Sequence, residues 1–369
     1  MKTLFFKILV LVVGLVAIKG CANNNQVQRI EATDSIIKYK DNNDDGHQRF
    51  ANLYPGKKSY PVTCSENCYP ITNELLCQTD SPADNCQFEG EQVVPTIDSG
   101  FTIQWLGHAS FYIQSPDGSS FLIDPVSQQF DWPVNWAFRI DSGFNRNEPN
   151  WLSTAQEQQL DAILYSHIHY DHFNKSDIER IGNSPTYFVP LNFADHFPND
   201  EYRINEMAWY ASEKVNEVTL HFVPAHHFSS RIWVPKLYED NDKTLWGGWV
   251  LEHKGKRIFY AGDTGYSQHF KDIQKQYGDM DVCLIPIASY FHSEQGDWYR
   301  YVHTTPEDAL VAADELNCKV MIPWGYGNAS WKMGDLSSHS ALQRLLHMVK
   351  QLDTKTPLYI LNEGEQVQF

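Results

Sequence analysis

The sequence, 369 residues long, predicts an α/β domain behind an export segment and a polar lead-in. Two observations predict this class. Short apolar runs such as Ala162-Ile163-Leu164-Tyr165 and Thr186-Tyr187-Phe188-Val189-Pro190 alternate with segments of helical pattern, as βα units do. Three of the apolar runs end in polar clusters: HIHYDH at His167–His172, AHHFSSR at Ala225–Arg231 and GDTG at Gly262–Gly265. Strand ends that carry such clusters deliver functional groups to one edge of a sheet.

The first 20 residues read as a targeting segment. Lys2 and Lys7 form a basic start, Ile8–Ile18 is apolar but short for a membrane span, and Gly20-Cys21 follows. The Gly-Cys pair resembles a bacterial lipobox, with Cys21 as the lipidated residue. Plain cleavage near Ala22 and an uncleaved anchor remain open, and all three imply export to the cell envelope. Residues 21–97 read as a polar tether followed by a Cys-rich lead-in. Cys64, Cys68, Cys77 and Cys86 cluster there, and in an exported chain they suggest disulfides with three possible pairings. Cys283 and Cys318 lie beside apolar runs and read as inert core residues. The net charge of −17 argues against nonspecific nucleic-acid binding, which needs a basic surface.

The main domain, residues 98–369, opens with strands at FTIQWLG and ASFYIQ, a Ser115–Gly118 turn, and a strand at Phe121–Ile123 ending in Asp124-Pro125. Phe130–Trp151 is a long aromatic-rich loop, a substrate wall or plain packing over a site. Helices are expected at Lys175–Ile181 and Leu191–Phe197. Strands follow at Thr219–Val223, Leu245–Val250, Arg257–Ala261 and Met280–Ile287. A loop at Ala288–Tyr301 leads to a helix from Pro306 to about Leu316, with Thr305 as its cap. Lys319–Ile322 is a strand, Ser340–Leu352 an amphipathic helix, and Leu358–Leu361 a closing strand.

The densest chemistry is His167-Ile168-His169-Tyr170-Asp171-His172, directly behind the Ala162–Tyr165 run. On an extended end, side chains two apart face the same way, so His167 and His169 can reach one metal. Asp171 and His172 can then swing toward a second point. Imidazole and carboxylate donors together suit zinc or a similar divalent ion. A polar loop with surface histidines is the plainer reading.

The HxHxDH block resembles the metallo-β-lactamase superfamily. WLGHASFYIQ, FLIDPV and YFVPLNFADHF resemble the branch containing N-acyl-phosphatidylethanolamine-hydrolysing phospholipase D, with the likeness running from about Phe101 to Phe369. The resemblance implies an αββα sandwich, two mixed sheets face to face with helices outside. It implies His167, His169, Asp171, His172, His227 and Asp263 as metal ligands, with Asp263 bridging two zinc ions. His227 rather than His226 matches the family's His-x-x-x-Arg spacing. Tyr170 and Arg231 would contact substrate, Arg231 through an anionic group, unless it is a structural ion pair. Asp171 would orient the attacking water while touching metal. His303 would approach the substrate, unless it only marks a helix entry, and His108 is either near the metals or structural. The family's last histidine falls at Pro323, which cannot ligate. His303, His292 or His339 could substitute, or the second site could be weak or missing. The implied function is metal-dependent hydrolysis, foremost of a phosphodiester in a lipid-like substrate beside a membrane. The alternatives are a lactone-opening hydrolase and a noncatalytic metal- or ligand-binding lipoprotein.

Overall fold

A computed structural model describes residues 24–32, 35–40, 48–58, 69–77, 86–92, 97–128, 151–231, 233–234, 238–288, 290, 298–327 and 339–369. The export segment with Cys21, the cysteines at 64 and 68, most of the 130–151 aromatic loop and His292 lie outside these residues. In chain order the strands are β1 (Gln26–Ile30), β2 (Leu75–Cys77), β3 (Cys86–Phe88), β4 (Thr102–Gly107), β5 (Ser110–Gln114), β6 (Ser120–Ile123), β7 (Ala162–Leu164), β8 (Thr186–Pro190) and β9 (Arg203–Met207). They continue with β10 (Ser212–Val215), β11 (Val218–Val223), β12 (Trp233–Val234), β13 (Tyr238–Glu239), β14 (Gly248–His253), β15 (Lys256–Tyr260), β16 (Val282–Pro286), β17 (Val320–Trp324) and β18 (Gln366–Gln368). The described helices are α1 (Thr154–Gln158), α2 (Lys175–Ile181), α3 (His269–Tyr277), α4 (Trp298–Val302), α5 (Pro306–Glu315) and α6 (Ser340–Met348).

Two mixed sheets face each other. One runs β1-β9-β8-β7-β6-β5-β4-β18 and the other β10-β11-β14-β15-β16-β17. Strand alternation explains the packing. Phe121 and Ile123 of β6 point into the inter-sheet core with Phe111, Trp249, Tyr260 and Trp324, while Leu122 points outward with Ile163, Tyr187 and Ile178 of α2. Aromatic rings bridge the sheets, Phe111 to Tyr260 at 5.9 Å and Phe188 to Trp249 at 6.5 Å between centroids. Apolar faces of α3, α5 and α6 join the same core. This is the αββα sandwich.

The parallel neighbours β6, β7 and β8 in one sheet, and β15, β16 and β17 in the other, end on the same side. Chain leaving those ends therefore converges, which is where α/β sheets place their sites. Caps hold the next elements in place. Asn174, just past the histidine block, accepts from Ser176 and Asp177 backbone N–H at 2.8 and 3.2 Å and starts α2. Thr305 accepts from Asp308 N at 3.0 Å and starts α5, with Pro306 in its first turn.

Several expectations need correction. Part of the supposed tether is β1, an edge strand parallel to β9; its side chains are mostly exposed, so composition carries no trace of its backbone pairing. Phe50, Leu75, Phe88 and Ile97 of the lead-in enter the core. Leu191–Phe197 forms only a 3₁₀ turn at Ala194–His196, because Asn192 takes a left-handed φ of 63°. The strand expected from Leu245 begins at Gly248, since Leu245 and Gly247 donate instead to Leu191 O and Ser166 O. The expected 288–301 loop contains α4. Leu358 makes a single bridge to Met321, and the closing strand is β18, antiparallel to β4. Cys283 and Cys318 are not inert: parallel pairing of β16 with β17 brings them together as a disulfide. Cys77 pairs with Cys86 across the β2–β3 ribbon.

Candidate metal centre

The described strand ends bring His167, His169, Asp171, His172, His227 and Asp263 to one point. His167 and His169 leave β7, His227 leaves β11, and Asp263 leaves β15. His169 Nδ1 faces His167 Nε2 at 2.8 Å and His227 Nε2 at 3.2 Å. Asp263 Oδ2 lies 3.3 Å from His172 Nε2 and 3.9 Å from His227 Nε2, so one carboxylate touches both groups. Asp171 Oδ2 is 3.6 Å from His172 Nε2. His303 joins from the chain before α5, with Nε2 3.2 Å from Asp263 Oδ2.

Bonds on the far side of each ring decide which nitrogen faces inward. His227 Nδ1 donates to Val302 O at 2.9 Å. His167 Nδ1 donates to Ser166 Oγ at 2.9 Å, whose own hydroxyl donates to Asp124 Oδ2 at 2.5 Å. His172 Nδ1 donates to Asp124 Oδ2 at 2.7 Å. On His167 and His227 this leaves Nε2 as an inward lone pair, and on His172 it turns Nε2 inward, the arrangement that orients metal-binding imidazoles. His172 Nε2 is buried and makes no hydrogen bond to protein. Burial pushes the His167 and His227 rings well down and His169 to about 4, so all three are neutral at neutral pH. Burial opposes charge on His172 too, but Asp263, Asp171 and Asp124 outweigh it and raise that ring well above the usual imidazole value. Burial alone would raise the Asp171 and Asp263 carboxyls. His172, with His108 beside Asp171 and His303 beside Asp263, holds both below the usual carboxylate range. Inward lone pairs on neutral imidazoles, facing ionised carboxylates, fit a divalent cation.

Tyr170 and Arg231 contact each other and the histidine loop, as the structural alternative for Arg231 expects. Arg231 is buried, and its Nη1 donates to Ile168 O and Phe173 O at 3.0 and 2.9 Å. Its guanidinium lies over the rings of Tyr170 and Phe173 at 4.1 and 4.8 Å, and the Tyr170 hydroxyl donates to Arg231 O at 2.7 Å. The pair clamps the histidine loop from both ends, with Nη1 of the guanidinium engaged by backbone carbonyls. Arg231→Lys keeps the charge but loses the planar fork. It is expected to lower metal affinity about 10-fold, read by competition against a chromogenic chelator, rather than to raise KM alone.

Sequence reasoning missed two supports. Asp124, fully buried, accepts from Ser166 N, Ser166 Oγ, His172 Nδ1 and the Tyr260 hydroxyl, all within 2.5 to 2.7 Å. A carboxylate closing an apolar strand was its only signal. Asn52, from the lead-in, brackets the His227 backbone: its Oδ1 accepts from His227 N at 2.9 Å and its Nδ2 donates to His227 O at 2.8 Å. No sequence pattern announces that. His226 is buried between the carbonyls of Tyr54 and Tyr301, at 2.9 and 2.8 Å, and fastens the same lead-in. Asn52→Ala is expected to weaken metal binding by about 10-fold or more, measured by the same competition. Unchanged affinity would show that the lead-in does not support His227. His339 is buried beside Tyr326, apart from the candidate metal groups among the described residues.

This arrangement has known counterparts. Residues 120–326 match the β-lactamase superfamily domain. A metal-dependent hydrolase of Methanosphaera stadtmanae is 30% identical over 231 residues, which is 61% of this chain and 83% of that protein. N-acyl-phosphatidylethanolamine-hydrolyzing phospholipase D 1 of Caenorhabditis elegans is 28% identical over 245 residues, 62% of this chain and 65% of that protein. Igni18, a metallo hydrolase from Ignicoccus hospitalis, has a similar fold, with a TM-score of 0.50 at 19% identity over 73% of this chain and 98% of that one. The chain also spans about half, 54%, of the length of uncharacterised mycobacterial proteins that it matches at 30% identity. The domain match runs from β6 through β17, the stretch that carries all six inward-facing groups from His167 to Asp263, and the chain belongs to the metallo-β-lactamase superfamily.

Proposed function

We propose that the chain is a metal-dependent hydrolase, acting as a phosphodiesterase of phospholipase D type on a lipid-like substrate, with zinc as its metal. The observation that carries the hydrolase reading is the shared Asp263 carboxylate, set between the His167–His169–His227 group and His172. The lipid part rests on likeness to a phospholipase D acting on N-acyl-phosphatidylethanolamine. A zinc held there supplies a Lewis acid and a water acidified toward neutral pH.

The chain's own groups have separate tasks in this reading. His167, His169 and His227 present neutral lone pairs. Asp171 and Asp263 bring negative charge that offsets the cation's cost in a buried site. His303 is half-buried, touches Asp263 through Nε2, and in this reading would approach the substrate beside that carboxylate. Export and lipid anchoring through residues 1–21 remain part of this proposal, since they would set the site beside its lipid.

The test is turnover of N-acyl-phosphatidylethanolamine vesicles by the purified chain, with release of the N-acylethanolamine followed by mass spectrometry. Release that chelation stops and zinc restores supports the reading. Turnover of a lactone but not of the phosphodiester would favour the lactone-opening alternative. Metal binding without turnover of either would favour a noncatalytic binding protein.

A further inference from the structure

We infer that His108 is a ligand of the second metal, supplying an imidazole on the side where Pro323 offers none. The inference rests on the metal-dependent reading above. The first group holds three imidazoles, His167, His169 and His227. The second point is bounded by His172 with the carboxylates of Asp171 and Asp263, so it is short of nitrogen donors. His108 is within reach of it. His108 Nε2 lies 2.8 Å from Asp171 Oδ2, and His108, Asp171 and His172 each place a donor atom within 4.8 Å of the other two. All three residues are buried.

His108 also lies close to the strand that carries Pro323. It sits in the β4–β5 turn, which packs on the end of β17, the strand that carries Pro323. Trp105 meets Tyr326 at 4.8 Å between ring centroids, and Phe111 meets Trp324 at 6.3 Å. A side chain at Gly107 or Gly327 would meet the same residue, Glu363. His303, by contrast, groups with His227 and Asp263.

The backbone adds a second observation. His108 has a φ of +50°, a left-handed conformation uncommon for a non-glycine residue, though histidine enters it more often than most. The Trp105 indole donates to His108 O at 2.9 Å and helps to hold the turn. Buried non-glycine residues kept in such conformations concentrate at functional sites. The ring's Nδ1 is buried with no hydrogen-bond partner among the described residues, so no far-side bond fixes its tautomer and Nε2 is free to present a lone pair beside Asp171. The competing role is that Nε2–H donates to Asp171 and only orients that carboxylate.

Metal-stripped mature chain, titrated with zinc and separately with cobalt(II), tells these apart through elemental analysis and the cobalt absorption spectrum. Wild type is expected to take up two equivalents. His108→Asn, which suits the left-handed turn, and His108→Gln, which keeps an N–H toward Asp171, are both expected to keep the first equivalent. Both should lose affinity for the second by about 100-fold or more, with a changed cobalt spectrum. Adding Pro323→His to His108→Asn should recover the second equivalent. Circular dichroism and melting of the metal-free variants establish that they fold. Should they not fold, nitrogen-15 spectra of the metal-loaded wild type should show His108 among the ligating imidazoles. A His108→Gln variant with wild-type affinity and spectrum, a His108 ring without metal shifts, or a wild type that binds one equivalent would each overturn the inference while leaving the hydrolase reading in place. A wild type that binds no metal would take down both.

Discussion

Asp263→Ala is expected to strip the chain of metal and to abolish hydrolysis. Asp263 Oδ2 lies near three imidazole rings: His172 at 3.3 Å, His303 at 3.2 Å and His227 at 3.9 Å. Changes to groups that merely orient a ligand cost about 10- to 100-fold in metal affinity, and losing a carboxylate shared by two groups should exceed the upper figure. Metal retained after dialysis, measured by elemental analysis, is the readout that does not depend on knowing the substrate. Asp263→Asn serves as the control for shape, since it keeps the side-chain volume and removes the charge. The metal-free protein should change as well. His172 is buried, and its raised pKa depends foremost on Asp263. Alanine there leaves an imidazolium with less compensation, so the metal-free variant should melt lower than wild type. Two tightly bound metals in Asp263→Ala would sink the shared-carboxylate reading.

Asp124→Ala should have the largest effect on stability. Four donor groups converge on its carboxylate. Removing one partner of a buried charged network costs about 3–5 kcal/mol, enough to lower Tm by several degrees in a calorimeter. Asp124→Asn separates stability from function. It preserves the volume but turns one of the two acceptor positions into an amide N–H, facing Ser166 N at the Oδ1 position or His172 Nδ1 and the Tyr260 hydroxyl at the Oδ2 position. His172 can answer by moving its proton to Nε2, which removes the inward lone pair. A fall of about 10- to 100-fold in metal affinity, with a smaller change in Tm than for alanine, is the expected pattern. Equal metal affinity in wild type and Asp124→Asn would mean that Asp124 does not set the His172 tautomer.

The sequence by itself determined the class of fold and the neighbourhood of the site. Apolar runs with period-two or fully buried patterns are local, and the chemistry sits immediately beyond them, at His167–His172 behind β7 and at Asp263 behind β15. Such groups are legible because strand and ligand block are contiguous. Tertiary structure alone decided what lies between blocks. Asp124 meets Ser166 across 42 residues, Asn52 meets His227 across 175, and Arg231 meets Phe173 across 58. Nothing in the residues around Arg231 distinguishes a guanidinium waiting for a phosphate from one folded onto loop carbonyls. The pairing of Cys283 with Cys318 follows from two parallel strands lying side by side, a fact of sheet order. The same holds for β1, whose pairing uses backbone groups that every residue carries. Local pattern specifies which elements form and what they carry; only the order of strands in the sheets decides which carried groups meet.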